Sequence, residues 1–235
     1  DVAFTGIDHV GQKACKEKGV VICNAAGYSD ETVSELAVGM AINLLRKVNA
    51  GDKAVREGKT LASAGLMGTE LGTKTVGIIG IMTAKLFKAF GCRVLGYSRT
   101  KKEEAVQAGI EYTELDELLK ISDIVSLHVP STAETKGFLS RERIALMKHT
   151  AILINCARGA VVDNEALAEA LNADKIAGAA IDVFDMEPPI PADYPLLNAK
   201  NTLLTPHVAF ASKESMIRRA HIVFDNLYAF LEGKP

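Results

Sequence analysis

The middle of the chain alternates short apolar runs with segments of helical periodicity. The apolar runs cover residues 75–80, 93–97, 124–130, 151–155 and 176–183. They do not alternate between apolar and polar residues as a half-buried strand does, and this continuous pattern is typical of strands buried on both faces. Helical patterns lie between them, at residues 83–90, 115–120, 141–148 and 164–172. Because strands that alternate with helices form βαβ units with right-handed crossovers, the pattern predicts an α/β fold with a doubly wound parallel sheet.

Two longer amphipathic helices flank this block, at residues 33–48 and 213–231. Each carries a continuous apolar stripe, which is typical of packing against a core, and the first is also a candidate dimer surface. Residues suited to cap helix N-termini precede these two helices and two of the shorter ones; they are Ser29, Ser140, Asp163 and Ser212.

The two ends of the chain differ from the middle. Residues 1–24 form a stub of strand, helix and strand patterns that is too short to bury a core of its own. We therefore expect three segments, which are a remnant of a second domain at 1–24, a main domain at 25–207, and a terminal helix at 208–235. The remainder of the second domain is expected to precede Asp1 in a longer protein.

Composition excludes several classes of protein. With 48% hydrophobic and 24% charged residues, the chain is too apolar to be disordered. Its 27 basic and 29 acidic residues give a net charge of −2, so no basic excess points to nucleic acid or to an anionic membrane. The four cysteines are scattered without disulfide or zinc spacing, and no metal cluster is predicted. Reduced thiols are typical of a cytoplasmic protein, which is our expectation here.

The first strand pattern, TVGIIG, runs directly into a helix, as in a dinucleotide-binding βαβ unit. Gly80 at its end is therefore a candidate contact for a pyrophosphate. The fingerprint G-x-G-x-x-G is absent, however: an Ala is expected about nine positions after the first glycine, whereas Ala84 follows Gly80 by only four. Gly80 is either the third glycine of the fingerprint, or a glycine loop of about five residues belongs between Gly80 and Ile81. We expect the natural chain to carry that loop and the chain as printed to be inactive.

Four motifs in a fixed order carry a family resemblance: SLHVP at 126–130, INCARGAVVD at 154–163, AAIDVFDMEPP at 179–189 and LLTPHVAFAS at 203–212. With them, essentially the whole chain resembles the D-isomer-specific 2-hydroxyacid dehydrogenases. The segment at 6–29 resembles the part of that family just before the hinge into its cofactor domain. The resemblance implies a Rossmann-like cofactor domain at 25–207, and remnants of a flavodoxin-like substrate domain at 1–24 with a crossover helix at 208–235. It also implies a nicotinamide cofactor, a small 2-keto or 2-hydroxy acid as substrate, and a homodimer formed through the first long helix.

Three residues within these motifs are the implied catalytic group. By resemblance, Arg158 binds the substrate, His207 is the acid/base, and Glu187 is the carboxylate that pairs with it. The residue types suit the chemistry, because a histidine beside a carboxylate can transfer a proton near neutral pH and an arginine can bind a planar carboxylate by two bonds. Each residue is expected to lie just beyond a strand end, where ligands bind in open parallel sheets.

The resemblance also implies substrate and cofactor contacts. Backbone amides at Thr5 and Gly6 would hold the substrate carboxylate. Tyr28 would face the substrate, although a half-buried aromatic at a hinge is an equally good interpretation of that position. Asp182 would bond the nicotinamide amide. Four further residues would line the cofactor, and we expect no nucleophilic role for the cysteine among them: His128, Pro130, Cys156 and Ala157.

The residues after the second strand bear on the choice between NAD and NADP. NAD-selective sites place an acid there to bond the ribose 2′-hydroxyl. This chain instead has Ser98, Arg99 and Thr100, which can donate to or pair with a 2′-phosphate. A solvated loop is the alternative interpretation, but the missing acid favours NADP over NAD.

A binding protein is the competing class. Some relatives of this scaffold are dinucleotide-sensing co-repressors, and they keep the same three residues, so only turnover of a 2-keto acid separates the two. A formate dehydrogenase is disfavoured, because that subgroup departs from glutamate at the position of Glu187.

Overall fold

The computed structural model describes residues 1–79, 83–101 and 103–234 and divides the chain into two compact units. The terminal unit consists of Asp1–Val33 and Val208–Pro235, and the central unit of Ser34–His207. Among the described residues, no helix is both long and apolar enough to cross a membrane.

A seven-stranded sheet forms the centre of the central unit. Every neighbouring pair is parallel, and the strand order is β3-β2-β1-β4-β5-β6-β7. The strands are β1 (Thr75–Ile79), β2 (Arg93–Tyr97), β3 (Glu111–Tyr112), β4 (Ile124–Leu127), β5 (Ile152–Asn155), β6 (Gly178–Ile181) and β7 (Thr202–Leu204). This confirms the predicted α/β fold, in the Rossmann-like arrangement in which the strand order reverses between β1 and β4.

Ten helices are described along the chain. They are α1 (Gln12–Glu17), α2 (Asp30–Arg46), α3 (Val48–Arg56), α4 (Leu61–Ala64), α5 (Ala84–Ala89), α6 (Glu103–Gln107), α7 (Leu115–Ile121), α8 (Arg141–Ile144), α9 (Asn164–Asn172) and α10 (Lys213–Leu231). Asp163 and Ser212 cap α9 and α10 as predicted, since each side chain accepts a backbone N–H of the first turn. Ser140 precedes α8 but does not cap it, because its hydroxyl donates to the Glu142 carboxylate instead.

Several boundaries differ from the sequence prediction. The helix predicted at 33–48 is divided at Lys47, which adopts a left-handed backbone conformation with φ of 54° between α2 and α3. The strands predicted at 124–130 and 176–183 are shorter, because the residues after Leu127 and Ile181 leave the ladder to form loops. The helix predicted at 141–148 ends at Ile144.

The core of the central unit is formed by the inner strands and the helices on either side. All four residues of β4, β5 and β6 are buried, as is most of β1. Burial on both faces explains why these strands appear in the sequence as continuous apolar runs. The carboxyl ends of these four strands are thereby held at one edge of a rigid sheet.

The terminal unit has its own small set of contacts. Val2 pairs with Asn24 as an isolated parallel bridge rather than as a strand, so the strand patterns predicted in the stub at 1–24 are wrong in extent. An aromatic group packs within the unit, with the Phe210 ring 5.9 Å from that of Phe4 and 6.5 Å from that of Tyr28.

Candidate active site

The candidate residues of the central unit lie just beyond the carboxyl ends of neighbouring strands. His128 follows β4, Arg158 follows β5, Asp182 follows β6, and His207 follows β7. Open parallel sheets bind their ligands outside these ends, because the loops there converge and the backbone N–H groups of following helices point outward. The topology thus brings residues from four separate motifs to one edge.

His207 and Glu187 form a hydrogen-bonded pair at this edge. Nδ1 of His207 lies 2.8 Å from Oε1 and 3.1 Å from Oε2 of Glu187. With Nδ1 donating to the carboxylate, the bond to Glu187 orients the ring and its other nitrogen, Nε2. The His207 side chain is 28% exposed, so the imidazole is accessible while the carboxylate fixes its orientation.

The backbone of His207 is unusual. Its φ of 55° is in the left-handed region, which costs a residue with a Cβ about 1–2 kcal/mol. The conformation is supported by the His207 N–H, which donates to the carbonyl oxygen of Asp182 at 2.8 Å. The Asp182 side chain is fully buried, and the Thr205 hydroxyl donates to its Oδ1 at 2.6 Å.

A second loop, after β5, carries Arg158. The fully buried Asn155 shapes this loop, since its side-chain amide donates to the Arg158 carbonyl at 3.0 Å and its oxygen accepts the Ala157 N–H at 3.0 Å. Gly159 then packs against the backbone of Phe184, where an added Cβ would lie 1.9 Å from the carbonyl carbon. The loops that bear Arg158 and Glu187 are therefore in direct backbone contact.

His128 is enclosed by polar neighbours at the end of β4. Its N–H donates to the Ile79 carbonyl at 2.7 Å, and its Nε2 lies 2.8 Å from the Ser126 hydroxyl and 3.1 Å from the Thr83 hydroxyl. Desolvation of the ring lowers the pKa of His128 to about 4. The imidazole is consequently neutral at physiological pH and acts as a hydrogen-bonding spacer between β1, β4 and the start of α5.

This burial predicts a pH dependence of stability. Because the pKa of His128 is about 4 when folded and about 6.5 when unfolded, the unfolded chain takes up its proton first as the pH falls. We expect the native protein to lose up to ~3 kcal/mol through this group between pH 6.5 and 4. A His128→Gln variant should show a correspondingly flatter profile in urea unfolding at each pH.

His149, an exposed histidine, is the matched control. Its replacement by Gln should leave the pH profile parallel to that of the native protein. A profile for His128→Gln that runs parallel to the native one would contradict the assignment.

The remaining predicted contacts of the central unit are placed as follows. Cys156 and Ala157 are buried, and burial raises the pKa of the Cys156 thiol far above its usual range, so the thiol stays protonated. Pro130 is exposed. After β2, the Ser98 hydroxyl donates to the Thr100 carbonyl at 2.6 Å, and Arg99 is exposed. Gly80 lies outside the described residues.

The predicted substrate contacts belong to the terminal unit. The Thr5 carbonyl accepts from the Asn24 amide at 2.7 Å, which fixes the turn at Thr5 and Gly6. Tyr28 is 2% exposed, which is more buried than the half-buried ring of the alternative interpretation, and the Tyr28 carbonyl accepts from Arg218 at 3.0 Å. Within the described ranges, no group of three or more His, Cys, Asp or Glu side chains could hold a metal ion.

Sequence reasoning missed three residues that shape the site: Asn155, Gly159 and Thr205. Each lies within a quoted motif; Asn155 shapes its own loop, whereas Gly159 and Thr205 act through contacts with the segment after β6. The available signal was a polar side chain ending a buried strand, which must find partners at the sheet edge.

The described residues at this edge fit the nicotinamide end of a dinucleotide. A buried carboxylate, Asp182, lies at the sheet edge near the His207–Glu187 pair. The carboxylate suits an amide donor, and the pair suits a proton transfer. The pyrophosphate end would fall at residues 80–82, outside the described part. An open parallel sheet with such a pair beyond the carboxyl ends of its strands fits a nicotinamide-dependent oxidoreductase of the Rossmann class.

Comparison with known proteins specifies the family. Residues 38–209 match the D-isomer specific 2-hydroxyacid dehydrogenase, NAD binding domain. The chain is 40% identical over 238 residues to a glyoxylate reductase of Korarchaeum cryptofilum, covering 97% of this chain and 71% of that protein. It is 36% identical over 244 residues to a hydroxypyruvate reductase of Blautia hydrogenotrophica, covering 100% of this chain and 76% of the relative.

Solved structures agree with the sequence relatives. A D-lactate dehydrogenase from Aquifex aeolicus, complexed with NAD and lactic acid, superposes with a TM-score of 0.92 at 33% identity, covering 99% of this chain and 75% of that one. An acyclic imino acid reductase in complex with NADPH and D-Arg gives 0.91 at 30% identity, with the same coverage. The chain belongs to the D-isomer-specific 2-hydroxyacid dehydrogenase family. It is an oxidoreductase that transfers hydride between a nicotinamide cofactor and a small 2-hydroxy or 2-keto acid, and nothing favours the co-repressor alternative.

Proposed function

We propose that His207 is the acid/base of this reaction, that Glu187 holds its ring, and that Arg158 binds the substrate carboxylate. The observation that best supports these roles is the 2.8 Å bond between Nδ1 of His207 and Glu187, just beyond the end of β7. It orients Nε2 of an accessible imidazole and leaves a carboxylate beside the proton donor, as acid/base catalysis requires.

The reduction can be written from the residues of the chain. The nicotinamide, when bound, supplies the hydride that reduces the keto carbon. As charge develops on the keto oxygen, Nε2 of protonated His207 donates its proton to that oxygen, so the product is the neutral alcohol. Glu187 stabilises the imidazolium before the transfer, and solvent restores the proton afterwards. Arg158 pairs with the substrate carboxylate by two parallel bonds and so fixes the keto carbon.

We also propose the substrate class and the contacts that Asp182, His128, Pro130, Cys156 and Ala157 make with the cofactor. Relatives named glyoxylate reductase and hydroxypyruvate reductase support a small 2-keto acid. The amides at Thr5 and Gly6 and the ring of Tyr28 are the proposed substrate contacts in the terminal unit.

The direct test is turnover by the full-length protein. Pyruvate, hydroxypyruvate, glyoxylate and branched 2-keto acids should be screened for oxidation of NADPH or NADH, followed by absorbance. We expect turnover of at least one of the smaller acids. Tight binding of the dinucleotide without turnover of any of them would instead indicate a sensing protein.

For the cofactor, we propose that NADPH is accepted and preferred. Ser98, Arg99 and Thr100 follow β2 where an NAD-selective site would carry an acid. Arg99 is exposed, and it contributes weakly to the lowered pKa of Glu134, which is caused mainly by the Thr132 hydroxyl. Solved relatives include complexes with NADPH and with NAD, so the proposed preference rests on the residues after β2.

Replacing Arg99 by Ala should selectively weaken the use of NADPH. Because a hydrogen bond to a charged group contributes about 1.5–3 kcal/mol, kcat/KM for NADPH should fall ~10–100-fold while the value for NADH changes little. Arg93, at the other end of β2, bonds Glu111 on the surface and provides the control Arg93→Ala, which should leave the ratio unchanged. An unchanged ratio for Arg99→Ala, or a native preference for NADH, would show that the loop is only solvated surface.

Four further expectations remain proposals. We propose a homodimer formed through α2, a cytoplasmic location consistent with four cysteines that are free, and the division into segments 1–24, 25–207 and 208–235, with flavodoxin-like remnants at the ends. We also propose that the natural chain carries a glycine loop between Gly80 and Ile81, without which the cofactor would bind poorly and the printed chain would be inactive.

A further inference from the structure

Asp182 is attached to the segment that carries His207 by two different bonds. Its side-chain Oδ1 accepts the Thr205 hydroxyl at 2.6 Å, and its backbone carbonyl accepts the His207 N–H at 2.8 Å. Thr205 also continues the sheet, since its own N–H donates to the Ile181 carbonyl at 3.0 Å. Residues 205–207 are thus closed into a ring of contacts with the end of β6.

These contacts matter because both the His207 backbone and the Asp182 carboxylate need support. His207 holds a left-handed backbone conformation, which persists only where surrounding contacts enforce it. The Asp182 carboxylate is fully buried, and a buried carboxylate must be satisfied by donors. The Thr205 hydroxyl donates directly to the Asp182 carboxylate. It supports the His207 backbone indirectly, because Thr205 and His207 belong to the same short segment.

We propose that Thr205 is a positioning residue for the reaction, whose hydroxyl orients the Asp182 carboxylate and the turn that carries His207 as one rigid group. The inference rests on the proposed function, in which Asp182 bonds the nicotinamide amide and His207 donates the proton. Asp182 would then contact the nicotinamide through its side chain and hold the backbone of His207, the proton donor, through its carbonyl. Thr205 fixes the distance and angle between them.

The hydroxyl is the operative group, which defines the variants to compare. Thr205→Val keeps the branched shape but cannot donate to the carboxylate, whereas Thr205→Ser keeps the donor and loses only a methyl group. Thr202, the first residue of β7, is the matched control, because its hydroxyl donates to the Ala199 carbonyl at 3.2 Å, at the opposite end of the strand from Thr205. Thr202→Val removes a comparable bond from β7 without touching Asp182.

The experiment measures steady-state kinetics of the full-length enzyme with a keto acid and NADPH or NADH, below the midpoint of thermal unfolding of each variant. For Thr205→Val, we expect kcat to fall ~10-fold or more and KM for the cofactor to rise, because a bond to a charged group is lost. Thr205→Ser should recover most of both parameters. Thr202→Val should lower the melting temperature at most and leave kcat and the cofactor KM unchanged.

The outcomes separate this inference from the proposed function. If His207→Ala is inactive but Thr205→Val has native kcat and cofactor KM, Thr205 has no positioning role. Equal losses in Thr205→Val and Thr205→Ser would also overturn the proposal, since the hydroxyl would then not be the group that acts. If His207→Ala itself turned over normally, the proposed function would fail first.

Discussion

Replacing His207 by Ala is expected to lower kcat of the full-length enzyme by at least ~10²-fold, because general acid catalysis by a positioned group contributes typically 10²–10⁴-fold. The variant keeps the sheet and the Arg158 loop, so cofactor binding should persist while the proton transfer is lost. Steady-state kinetics with the best keto acid, together with fluorescence titration of the reduced cofactor, would separate these two effects.

Two companion variants make this result specific. Glu187→Gln keeps an oxygen near Nδ1 but removes the charge that stabilises the imidazolium, so a smaller loss of kcat is expected. His149→Ala changes an exposed histidine after α8 and should have native kinetics. Near-normal turnover by His207→Ala would reject the assignment of the acid/base.

The conservative change Arg158→Lys is expected to reduce kcat/KM for the keto acid by ~10–100-fold. A lysine retains the positive charge but replaces a planar group with two parallel donors by a single point charge. Because Asn155 holds the backbone of this loop, the new side chain should start from the same place and still fail to bind a carboxylate at two points.

Arg141 provides the control for this substitution. Its guanidinium makes two bonds to the Glu169 carboxylate on the surface, and an exposed pair of this kind contributes little to stability. Arg141→Lys should therefore leave kcat/KM unchanged. If Arg158→Lys were equally silent, the substrate carboxylate would have to be bound elsewhere.

The sheet could be predicted where burial left a clear pattern in the sequence. The continuous apolar runs at β4, β5 and β6 identified strands covered on both faces, and their alternation with helices identified a parallel sheet. β3 was missed because it has only two residues, and one of them is an exposed glutamate. α3 and α6 were missed because each buries a single alanine, so neither carries an apolar stripe.

The proposed catalytic group rests on the family resemblance carried by the order of the four motifs. His207, Glu187 and Arg158 could be singled out from motif order, and the fold brings all three to loops at the same sheet edge. The contacts of Gly159 and Thr205 could not be predicted, since they join residues far apart in sequence. Thr205 bonds a carboxylate 23 positions away, and no local pattern encodes that separation.

The close approach of Gly159 to the backbone of Phe184 has a consequence for redesign of the enzyme. Loops at the edge of such a sheet are the usual place to alter specificity, because they can vary while the strands stay fixed. Here the loop after β5 and the loop after β6 meet without an intervening side chain. A graft that changes the length or course of one would displace the other, so the two must be exchanged together, as a matched set taken from one parent enzyme.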